Sequence, residues 1–119
     1  MSIERDVVTL DGLLRRQLSA VVFVQDYLQL QFDGPLLTLT NWPVVQCAEG
    51  EFRYGDTRYR DALCGRIAKT VASAQVRLND ELRLVFVDSS KLLVSLRPED
   101  RGDPEVVRYD ENAKHWAVW

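Results

Sequence analysis

The chain has 119 residues, 46% apolar and 28% charged, with a net charge of −3, the size and balance of one globular domain with its own core. That mild acidity lacks the broad attraction to phosphate on which general nucleic-acid binders rely, so DNA and RNA are not expected partners. No apolar run approaches the roughly 20 residues of a membrane helix, and the start Met1-Ser2-Ile3-Glu4-Arg5-Asp6 is not built as a secretion signal; a cytoplasmic protein without a membrane partner is expected.

Asp11-x-Leu13-x-x-Arg16 opens the patterned sequence. Leu14, Leu18 and Val21 fit a helical face with Asp11 as its cap, whereas Val21-Val22-Phe23-Val24 is β-branched and aromatic. A short helical turn leading into a strand satisfies both. Leu28, Leu30 and Phe32 then alternate with Gln29 and Gln31, the period of a half-buried strand. Asp33-Gly34-Pro35 supplies turn chemistry, and the alternation resumes over Leu36 to Thr40, which predicts an antiparallel hairpin. Asn41 to Tyr54 is a connector with room for a further strand.

From Arg58 to Ala74 the same choice returns. Tyr59, Leu63, Ile67, Val71 and Ala74 fit one helical face capped by Thr57, but Gly65 costs about 1 kcal/mol inside a helix. Glu81 to Val87, the turn Asp88-Ser89-Ser90-Lys91 and Leu92 to Leu96 form a second hairpin that Pro98 stops. Val85, Val87 and Leu93 on its second face predict cover on both sides, from the other half or a second subunit. Arg97 to Glu105 is a charged surface loop. Val106 to Tyr109 and His115 to Trp119 read as a closing hairpin around Asp110-Glu111-Asn112, with Trp116 and Trp119 seeking burial.

The two halves match as an imperfect internal repeat. The separation is 50 residues between Asp11 and Asp61, 54 between Leu28 and Leu82, and 55 between Leu37 and Leu92, a drift that loop insertions produce. The predicted fold is mainly β: two imperfectly repeated antiparallel β-meanders in one domain over residues 1–119, with short helical turns. The pseudo-repeats cover about 11–40 and 61–96, and a closing hairpin covers 104–119. An α+β fold with a helix near 58–74 is the alternative.

Catalytic chemistry does not stand out. His115 is the sole histidine and has no serine or cysteine motif beside it. Cys47 and Cys64 are too few and too far apart for a disulfide framework or a zinc site; Cys64 reads as a small buried thiol. Asp100, Asp103 and Glu105 lack the ordered ligand series of a calcium loop. The scattered glycines form no phosphate-binding loop. No metal and no cofactor are expected.

The densest polar-aromatic cluster is Phe52-Arg53-Tyr54-Gly55-Asp56-Thr57-Arg58-Tyr59-Arg60. Arginine and tyrosine are enriched at binding hot spots, so Arg53, Tyr54, Arg58, Tyr59 and Arg60 are the candidate binding residues. The competing reading is a surface connector whose tyrosines pack inward. The second half, Leu63-x-Gly65-Arg66 through Leu82-x-Leu84-x-Phe86, Ser95-Leu96-Arg97-Pro98-Glu99-Asp100 and Trp116-x-x-Trp119, resembles small uncharacterised bacterial domains, some of them immunity proteins that neutralise partner toxins. That resemblance implies a cytoplasmic protein that works by binding. The expected function is a non-catalytic protein-interaction domain with a protein partner, a homodimer being one arrangement; a small-ligand-binding or hydrolytic domain with a pocket between the repeats is the alternative.

Overall fold

Alternation along the chain becomes strand with one buried face. Leu28, Leu30 and Phe32 are fully buried while Gln31 is exposed, and Leu82, Leu84 and Phe86 are buried while Arg83 is exposed. The structure, a computed structural model, describes residues 6–112 and 115–119. Its strands are β1 (Val7–Thr9), β2 (Ala20–Phe23), β3 (Leu28–Gln31), β4 (Leu36–Leu39), β5 (Val44–Cys47), β6 (Gly50–Phe52), β7 (Val71–Arg77), β8 (Glu81–Phe86), β9 (Lys91–Ser95), β10 (Val107–Asn112) and β11 (His115–Val118). One α-helix, α1 (Tyr59–Cys64), precedes β7, and 3₁₀ turns occupy Asp11–Leu13 and Pro98–Asp100.

The protein is mainly β, with two antiparallel sheets. One has six strands in the order β1-β7-β8-β9-β5-β6, the other five in the order β11-β10-β4-β3-β2. Each holds a three-stranded meander: β2-β3-β4 in the smaller, β7-β8-β9 in the larger. The hairpin registers set leucine against leucine, Leu30 opposite Leu37 and Leu84 opposite Leu92. The buried faces of both sheets belong to one apolar cluster, so the space between the meanders is a packed core. Burial of such side chains contributes about 1.5–3 kcal/mol each.

A short helical turn precedes each meander, and the two turns share a contact. Arg16 Nε donates to the Gly12 carbonyl at 3.2 Å, and Arg66 Nε donates to the Ala62 carbonyl at 3.3 Å. Leu13 and Leu63, three residues before these arginines, are both fully buried. The backbone between the first turn and β2 runs alongside the start of β7: Arg15 N–H donates to the Val71 carbonyl, and Val71 N–H donates to the Arg16 carbonyl.

Several expectations need correction. No helix runs over 58–74: α1 stops at Cys64, Ala68 takes a left-handed conformation with φ of 73°, and Val71 opens a strand. A left-handed alanine is costly and redirects the chain, and the β-branched residues that follow favour a strand. Neither Asp11 nor Thr57 caps a helix. Asp11 is the first residue of its 3₁₀ turn, and α1 is preceded by Arg58 without a side-chain cap. Leu18 is buried but Leu14 is 38% exposed, so the two do not share a helical face. Val87, expected under cover, is 64% exposed. Cys64 is exposed as well, because α1 turns Leu63 inward and its neighbour outward. Strand β10 continues through Asp110 and Glu111 with a bulge between Asp110 and Asn112, so these residues extend the closing ladder instead of turning it. Trp119 is half-buried against the core; the side chain of Trp116 lies outside the described residues.

Candidate functional site

The connector between the two meanders builds the most distinctive surface. Strands β5 and β6 form a hairpin that hands the chain to a tight turn at Arg53–Asp56. Asp56 Oδ2 accepts a hydrogen bond from the Arg53 backbone N–H at 2.7 Å, and Asp56 N–H donates to the Arg53 carbonyl at 2.9 Å. Gly55 sits at φ of 100°, a conformation other residues rarely adopt. The turn pushes Tyr54 outward, leaving it 61% exposed.

Tyr54 is the outer ring of a stack. Its ring lies 4.6 Å from Trp42 at an interplanar angle of 20°, and Trp42 lies 6.2 Å from Phe23 at 18°. The Arg60 guanidinium sits 5.6 Å from the centre of the Phe23 ring, within cation–π range. Tyr59 closes the inner side. It is 2% exposed, its hydroxyl donates to the Pro43 carbonyl, and its ring meets Tyr54 edge-on at 6.0 Å and 81°. Burial, with a smaller contribution from Tyr54, raises the Tyr59 hydroxyl well above its usual pKa, so it stays a neutral donor.

The five sequence-predicted residues therefore divide. Tyr54, Tyr59 and Arg60 come together with Trp42 and Phe23. Arg53 is drawn aside into an ion pair with Glu51 at 2.8 Å. Arg58 turns to the other flank of α1, where it lines a cleft with Glu49, Phe52, Asp61, Ala62, Gly65 and Arg66. Tyr59 packs inward, as the connector reading expects, whereas Tyr54 faces solvent. Sequence reasoning missed Phe23 and Trp42 as members. Trp42-Pro43 in a connector was the available signal for one, while Phe23 looks like any strand residue until β2 is placed beside α1.

Charged neighbours are held ionised. Glu51 lies below the usual carboxylate range through hydrogen bonds from Gln46 and then Arg53. Glu49 is lowered too, first by the Cys47 thiol, then by its own backbone N–H, with Arg66 and Arg58 adding attraction. Asp88 is lowered chiefly by the Ser90 hydroxyl and backbone N–H, then by Arg66 and Lys69.

Stacked rings beside guanidinium groups offer broad apolar faces, a cation and few fixed polar contacts, a chemistry of adhesion. Among the described residues no group of three or more His, Cys, Asp or Glu is placed to hold a metal ion, and no helix is long and apolar enough to cross a membrane. The side chain of His115, considered above for catalysis, lies outside the described residues; its backbone is part of β11. No family model matches the chain, and no curated protein or solved structure matches it.

Proposed function

We propose that this is a protein-interaction domain without catalytic activity, whose contact surface is the Phe23–Trp42–Tyr54 stack with Arg60. The observation that carries the reading is Tyr54: a large aromatic ring 61% exposed, held in place by a glycine turn below it and a tryptophan face beside it. A ring fixed in this way loses little entropy on binding, which favours its use as an anchor. Two of its rings, Trp42 and Tyr54, also lie in the connector, which has no counterpart in the repeat. That division suits a shared scaffold that provides stability and an unmatched segment that provides contact. A cytoplasmic, immunity-like role with a protein target, or association of two copies, falls within this reading.

Capture from the organism of origin with tagged protein, together with native mass spectrometry of the same preparation, tests it. A stoichiometric protein partner supports the interaction domain. A bound metabolite with no protein above background contradicts it and favours a small-ligand domain. Light scattering coupled to size exclusion separates a second copy from a different partner.

A further inference from the structure

Among the described residues Arg66 is the one buried charge, 7% exposed, and its pairing is incomplete. Its Nε donates to the Ala62 carbonyl at 3.3 Å, and its Nη1 lies 3.6 Å from Asp88 Oδ2, beyond good hydrogen-bond length. Asp88 is shared with Lys69 at 3.7 Å, and its other oxygen accepts from Ser90. A guanidinium carries five donors, and those of Arg66 that Ala62 and Asp88 do not engage are open to solvent rather than buried without a partner. Arg66 borders the cleft beside α1. The Arg58 side chain, on the same cleft, makes no hydrogen bond or ion pair among the described residues.

The cleft has a volume of 190 Å³, below the roughly 300–1,000 Å³ of pockets for drug-sized ligands and suited to one side chain. Phe52 and Ala62 give it apolar walls. Two carboxylates also line it: Asp61 on α1, and Glu49 at the tip of the β5–β6 turn. Arg58, just before α1, lines the cleft, and Arg60, in its first turn, lies over Phe23, so the cleft and the aromatic stack flank the start of one helix. We infer that this cleft is a subsite for an aspartate or glutamate side chain of the partner protein, gripped by the Arg58 and Arg66 guanidinium groups with its methylenes against Phe52. Arginine forks match carboxylates in geometry as well as charge. Glu49 is the intramolecular competitor: already drawn toward both arginines, it opposes an incoming carboxylate. This subsite rests on the interaction reading above.

The test is a titration of side-chain Nε–H resonances of Arg58 and Arg66 with N-acetyl-glutamate N-methylamide, its glutamine counterpart and inorganic phosphate. The expected result is a saturable shift at both arginines with the glutamate compound alone. Arg58→Gln, exposed and checked for an unchanged backbone amide spectrum, weakens binding by about tenfold. Arg58→Lys, which keeps the charge and loses the fork, falls between the two. Glu49→Gln tightens it about two- to fivefold. Equal shifts from the glutamate and glutamine compounds, or an Arg58→Gln titration identical to wild type, overturn the subsite. Phosphate binding more tightly than the glutamate compound also overturns it, in favour of a free anion. The two readings fail separately: loss of partner capture in Tyr54→Ala with no glutamate titration removes only the subsite, and the converse removes only the aromatic surface.

Discussion

Tyr54 stacks on Trp42 with ring centres 4.6 Å apart and planes 20° from parallel, yet the two rings have unequal roles. Trp42 is half-buried against the core, whereas Tyr54 is mostly in solvent. Trp42→Ala therefore removes core packing and is expected to cost about 2 kcal/mol or more. Tyr54→Ala is expected to change stability by about 0.5 kcal/mol or less. Urea denaturation of both variants measures the difference; comparable losses would place Tyr54 in the structural framework and not on a contact surface.

Two buried tyrosines make opposite predictions on losing a hydroxyl. Tyr59 donates to the Pro43 carbonyl, so Tyr59→Phe leaves a buried acceptor unmatched and costs about 1–3 kcal/mol. Tyr109, 8% exposed, has a buried hydroxyl with no hydrogen-bond partner among the described residues. Tyr109→Phe is accordingly neutral or stabilising. Equal destabilisation of the two variants in urea would contradict these assignments.

Tyr109 also sets an alkaline limit. Burial, then the nearby Glu111 carboxylate, pushes its hydroxyl pKa up to about 12. The folded state thus binds this proton more tightly than the unfolded chain, where a tyrosine titrates near pH 10. The resulting stability is fully present below about pH 10 and is lost as pH rises through about 12. Tyr109→Phe should flatten the decline of the urea midpoint over that window. An unchanged slope would show that other groups carry it, Tyr59 being the first candidate.

Asp88 acts at the acid end. Its carboxyl lies below its usual value, chiefly through Ser90 and then through Arg66 and Lys69. A depressed carboxylate stabilises the fold above its unfolded pKa, and that contribution disappears as pH falls through the folded value. Wild-type stability should therefore drop more steeply as pH falls below about 4 than that of Asp88→Asn. Parallel pH profiles for the two proteins would contradict the pairing.

Much of the fold is legible in the sequence, for a definite reason. The β3–β4 and β8–β9 hairpins follow from period-two alternation broken by turn residues, because a strand with one buried face writes its geometry directly into the residue pattern. Leu13 and Leu63 stand at matching places in Asp-x-Leu-x-x-Arg segments and are both fully buried. The short helical turns were legible as turns. Their extent was not, since α1 ends through a left-handed Ala68, a conformation that alanine does not advertise. The exposure of Val87 and Cys64 was also hidden, because strand and helix periodicity cannot say whether another layer covers a second face.

The candidate site was half legible. Arg53 to Arg60 stood out by composition, and three of the five chosen residues do cluster. Phe23 belongs with them only because β2 and the connector meet across the fold, a long-range relation that no local pattern encodes. Arg66, the buried charge on the neighbouring cleft, looks in sequence like one of twelve arginines.

The central claim is tested most directly by partner affinity measured for wild type, Tyr54→Ala and Val87→Ser, each as a full chain. Val87 is equally exposed but lies on the second hairpin, away from the stack. With the captured partner purified, isothermal titration calorimetry should show Val87→Ser binding as wild type and Tyr54→Ala losing about 2 kcal/mol or more, a thirtyfold weakening of the order expected for an aromatic hot spot. Equal affinity for wild type and Tyr54→Ala would contradict the account.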